Sequence, residues 1–128
     1  MRSLLYLTAL LTLSGCAPGP SLGKVTDVVI VETGRGKPED AQDKCASFNP
    51  TPTQVQKFLN SSIIVGSLHS FRWSPCYAKG TATIGGSHSS WTMGPYGVGG
   101  VEVLAHGVEH NVASREAIQH AYERMKTD

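Results

Sequence analysis

The chain has 128 residues, with 11 Lys+Arg against 10 Asp+Glu and a formal charge of +1. That length suits one domain, and 40% apolar with 16% charged residues excludes both a disordered chain and a coiled coil. Near-zero net charge excludes broad electrostatic capture of nucleic acid, which needs a clustered basic face.

The first fifteen residues stand apart from the rest. Met1-Arg2-Ser3 carries one positive charge and precedes an uncharged apolar run from Leu4 to Leu13. A run of about ten residues is too short to span a bilayer as a helix but has the length of a secretory h-region. The motif Leu13-Ser14-Gly15-Cys16 follows. It resembles the lipobox of bacterial lipoproteins, which implies cleavage before Cys16 and acylation of that residue. The same resemblance makes Ala17, in place of an Asp, a signal for export to the outer membrane. The expected organisation is then a signal peptide over 1–15, an acylated Cys16 with a flexible tether to residue 23, and one periplasmic domain over 24–128. The acyl chains supply the membrane affinity, so no basic patch is required for it.

With Cys16 assigned to lipid, Cys45 and Cys76 remain as an even pair in an oxidising compartment, and a disulfide is the expected state. It would close a loop of about 30 residues and stabilise the domain by roughly 3–4 kcal/mol on a chain-entropy estimate.

The β-branched cluster Val25, Val28, Val29, Ile30 and Val31 predicts a first strand over 24–31. Residues 32–44 are polar, with Gly34, Gly36 and Pro38, and predict a loop. Within it, Thr33-Gly34-Arg35-Gly36-Lys37 lacks the spacing of a phosphate loop and no helix follows it. Thr51-Pro52-Thr53-Gln54 predicts a helix start with a capping box and Pro in the first turn. Val55, Phe58 and Leu59 then share one face, and the helix should end near Asn60.

From residue 62 the pattern becomes that of strands. An apolar run from Ile63 leads through Phe71 and Trp73 to Cys76, followed by runs over 77–84, 88–93, 98–104 and 108–112. Gly85-Gly86 is a hairpin signal, and Gly94-Pro95-Tyr96-Gly97 and His106-Gly107 mark further turns. Ser114 caps a last helix with an apolar stripe of Ala117, Ile118, Ala121, Tyr122 and Met125, expected to pack on the core. The fold class is α+β: an antiparallel meander of four to five strands, a short helix before it and a C-terminal helix, stapled by one disulfide.

His106-Gly107-Val108-Glu109-His110 has the form of the inverted zincin motif. If these residues form a turn and strand, the two His lie about 13 Å apart on one face and cannot share a metal. No Gly-x-Ser-x-Gly elbow is present. Accordingly no catalytic set, metal or cofactor is expected, and a wall-acting hydrolase using His106, Glu109 and His110 is the runner-up reading.

The aromatics Phe71, Trp73, Tyr77, Trp91 and Tyr96 gather around Cys76. They form either a core against the disulfide or an exposed patch with Trp73, Tyr77, Trp91 and Tyr96 as candidate partner-binding residues, and residues 94–100 as a mobile lip. Cys45-x-x-Phe48, Thr53-Gln54-Val55, Trp73-Ser74-Pro75-Cys76-Tyr77, Gly80-Thr81 and Trp91-Thr92-Met93 together resemble a pattern in small proteobacterial envelope proteins, over residues 45–103. That group brings no activity with it. The expected role is non-catalytic: binding a protein partner in the envelope, an assembly or an enzyme to be inhibited, with a purely structural role as the third reading.

Overall fold

The computed structural model describes residues 20–38 and 42–127. The lipobox and Cys16 lie outside the described residues. The order of elements is β1 (Val25–Gly36), α1 (Gln42–Cys45), α2 (Pro52–Ser61), β2 (Ser62–Val65), β3 (Cys76–Ile84), β4 (Ser87–Met93), β5 (Val98–Val103), β6 (Val108–Ser114) and α3 (Arg115–Thr127).

One antiparallel sheet of six strands runs in the order β1-β3-β4-β5-β6-β2. The α+β class is as expected, but the strand count is six, and only β3 to β6 form a meander. The apolar run that was to enter it from Ile63 is strand for four residues only and pairs with β6 at the far edge. Residues 66–75 are a loop.

The first strand is also longer than its apolar cluster. It continues through the stretch expected as loop, pairing Arg35 with Tyr77 and Gly36 with Cys76. Register shifts along β1 mark irregular pairing, which lets an edge strand carry polar residues and glycine without losing its partner.

Local signals explain the turns and helix ends. Gly85 and Gly86 adopt φ of 57° and 83°, the left-handed pair that a two-residue hairpin requires. At the start of α2 the Gln54 backbone N–H donates to Thr51 Oγ1 at 3.2 Å, and the Thr51 N–H donates to Gln54 Oε1 at 2.8 Å. The helix passes directly into β2, where the Ser62 hydroxyl donates to the Phe58 carbonyl at 2.7 Å.

The core lies between α2 and the inner face of the sheet. Val55, Phe58 and Leu59 of α2 meet Ala78, Ala82, Trp91, Val101 and Val112. Each fully buried aliphatic side chain contributes about 1.5–3 kcal/mol. The chain before β1 joins the two ends of the sheet: Ile64 N donates to the Pro20 carbonyl at 3.0 Å, and Ser21 bridges Ile63 of β2. Residues 20–23, expected within the tether, are therefore in part tied to the sheet.

The C-terminal helix starts where expected, with the Ala117 N–H donating to Ser114 Oγ at 3.1 Å. Its stripe is only partly core. Ala117 and Ala121 are buried, whereas Tyr122 and Met125 remain 52% and 59% exposed.

Candidate functional site

The four candidate aromatics do not form one patch. Trp91 is 1% exposed and belongs to the core, its indole N–H donating to the Thr81 carbonyl at 2.9 Å. It points inward because Ser89, Trp91 and Met93 alternate with the outward His88, Ser90 and Thr92 along β4. Tyr96 sits in the β4–β5 turn with the Arg72 guanidinium 4.3 Å from its ring centre. Trp73 and Tyr77 alone share a groove.

That groove lies on the outer face of the sheet and has a volume of about 630 Å³. Trp73, 74% exposed, forms its wall together with Pro75 and Tyr77. Gly99 and Gly100 of β5 form its floor, and Thr92, Glu109 and Asn111 line the rest, with Lys37 at one end. The glycines sit inside a strand and are not the mobile lip expected of residues 94–100. A Cβ on Gly99 would lie 2.0 Å from the Thr92 carbonyl oxygen, so close strand approach demands glycine there. A Cβ on Gly100 would crowd Glu109 Oε1 at 3.0 Å and Thr92 Oγ1 at 3.2 Å, with the His110 carbonyl oxygen at 3.6 Å.

The Trp73 loop is held at several points. The Cys45–Cys76 disulfide, the expected pair, fixes its C-terminal end to the end of α1. Nearby, Lys37 N donates to the Pro75 carbonyl at 3.0 Å, and Cys76 N donates to Ser74 Oγ at 3.1 Å. Further back, Phe71 N donates to the Leu68 carbonyl at 3.0 Å, and Arg124 Nη2 of α3 donates to the Ser70 carbonyl at 3.1 Å. A large aromatic side chain is thus presented to solvent on a fixed backbone, which lowers the entropy lost when it binds.

A second cleft of about 590 Å³ lies between α3 and the β4–β5 turn. Its charges already serve the fold: Arg72 stacks on Tyr96, Arg124 holds Ser70, and His120 Nε2 lies 3.7 Å from Glu116 Oε1. In the Trp73 groove, by contrast, no hydrogen bond or ion pair among the described residues uses the side chains of Tyr77, Thr92, Glu109 or Asn111.

The residues of the zincin-like motif diverge. His106 is in the β5–β6 turn, so it is not on a strand face with His110 as expected. Glu109 pairs with Glu102 on the outer face, and His110 pairs with the buried Val101 on the inner one. No group of three or more His, Cys, Asp or Glu among the described residues is placed to hold a metal ion.

Thr92 and Asn111 escaped sequence reasoning as groove residues, and Gly100 lies on the floor rather than in the expected lip. The available signal was Gly99-Gly100 inside an apolar run, a pattern that marks close approach of a neighbouring group to the backbone. Set against protein-family models, curated proteins and solved structures, the chain matches none.

Proposed function

We propose that the chain is a lipid-anchored protein of the outer membrane whose disulfide-stapled domain faces the periplasm and binds another envelope molecule without transforming it. The lipobox Leu13-Ser14-Gly15-Cys16 supports the anchor. Only Ala17, Pro18 and Gly19 separate Cys16 from Pro20, which contacts β2. The four steps from Cys16 to Pro20 reach at most about 14 Å, so the domain works close to its membrane.

One observation carries the binding role: a 74% exposed Trp73 on a pinned loop beside a groove of unengaged polar side chains. The divergence of His106, Glu109 and His110 supports a non-catalytic role over a hydrolytic one. A benzophenone side chain in place of Lys37, irradiated in intact cells, should yield a covalent adduct with an envelope molecule, and this adduct should be lost when Trp73 is also replaced by Ala. No adduct would remove the binding role. Labelled palmitate should enter the wild-type protein but not Cys16→Ala.

A further inference from the structure

We infer that the Trp73 groove is a saccharide site that takes a short stretch of a glycan chain; this rests on the binding role proposed above. A pyranose ring presents a flat C–H face and a rim of hydroxyls. Its recognition therefore needs an exposed aromatic plane for the face, and short or planar polar side chains for the rim. Trp73 supplies the plane, with Tyr77 beside it. The Thr92 hydroxyl, the Asn111 amide and the Glu109 carboxylate offer donors and acceptors from two strands. Gly100 is buried beneath the Glu109 carboxylate and the Thr92 hydroxyl, which come within 3.0 and 3.2 Å of where its Cβ would be, so its lack of a side chain lets these two polar groups stand together over β5. The volume of about 630 Å³ lies in the range of small-ligand sites.

Other ligand classes fit less well. Lys37 and Glu109 offset each other, and Glu102 stands directly across the ladder from Glu109. A phosphate-rich ligand would meet the Glu109 carboxylate in the lining, like charge against like. An extended peptide would seek free backbone groups, but Gly99 and Gly100 on the floor are paired with β4 on one side and β6 on the other. An uncharged or weakly charged chain of sugar rings meets neither obstacle.

The test uses the full-length acylated protein in detergent micelles. Its probes are chitotetraose, protein-free wall sacculi and the deacylated saccharide of lipopolysaccharide, with binding read by calorimetry or cosedimentation. Saturable binding to at least one of these is expected, and which one binds identifies the source of the glycan. Trp73→Ala should weaken that binding by about tenfold or more while leaving the melting temperature unchanged, because the side chain is exposed. Gly100→Val, whose Cβ crowds the Glu109 and Thr92 side chains first, should weaken binding comparably. Tyr96→Ala, in the other cleft, should not. Absence of binding to all three probes, or binding that survives Trp73→Ala, would overturn the inference. A Lys37 photo-adduct to a protein, with no saccharide bound, would overturn the glycan and keep the binding role. The absence of both adduct and saccharide binding would remove both.

Discussion

Trp91 lies across Gly80, its cross-strand partner: a Cβ built on Gly80 would stand 2.7 Å from Trp91 Cζ2 and 1.9 Å from the Val29 carbonyl oxygen. The largest fully buried side chain among the described residues therefore occupies space that only glycine leaves open, on the strand that edge strand β1 pairs with. Gly80→Ala must displace both the Val29 backbone and the Trp91 indole. Loss of stability should be about 2–3 kcal/mol, read by chemical denaturation, and the Trp91 emission should shift red as the ring loses its packing. Trp91→Phe, which keeps a ring but leaves the Thr81 carbonyl without its indole donor, should cost about 1–2 kcal/mol.

Cys45 and Cys76 couple stability to the binding surface. Cys45 is fully buried, and Cys76 begins β3 directly after the loop that carries Trp73. The bridge spans a sequence separation of 31, for which the chain-entropy estimate is about 3–4 kcal/mol. Replacing both residues by Ala should lower the unfolding free energy by about that amount. It should also lower the fluorescence anisotropy of Trp73 in the folded state, measured in a Trp91→Phe background. An unchanged anisotropy would show that the other ties of the loop hold Trp73 without the bridge.

What could be read from the sequence was local. The capping box at Thr51 and Gln54, the Gly85-Gly86 hairpin and the Ser114 cap each depend on neighbours a few residues apart, and each formed where the residues pointed. Sheet order depends on contacts between distant segments. Nothing in Ile63-Ile64-Val65 names β6 as its partner, and nothing in Arg35-Gly36 names Tyr77 and Cys76. The count of strands failed there. The two tryptophans show the same division within the site. Trp91 follows an alternating pattern and so has a face, whereas Trp73 sits in a loop whose direction is set by a disulfide, by Lys37 and by Arg124 from another element.

Glu32 supplies a pH-dependent contribution on the outer face. Its carboxylate lies 3.4 Å from Arg35 Nε and 3.6 Å from Lys79 Nζ on the neighbouring strand. The Arg35 hydrogen bond first, and then the two positive charges, hold its pKa below the ordinary glutamate value. A carboxyl depressed in the folded state binds fewer protons there than in the unfolded chain, so folding is favoured above the unfolded pKa. That contribution is fully present at neutral pH and disappears as pH falls through the folded value, below the ordinary glutamate range. Glu32→Gln should therefore be slightly less stable than wild type at pH 7, and the two should converge in melting temperature below about pH 4. The pair is solvent-exposed, so the difference should also shrink in high salt. A gap that persists at acid pH would assign the effect of Glu32 to packing against β3 rather than to its charge.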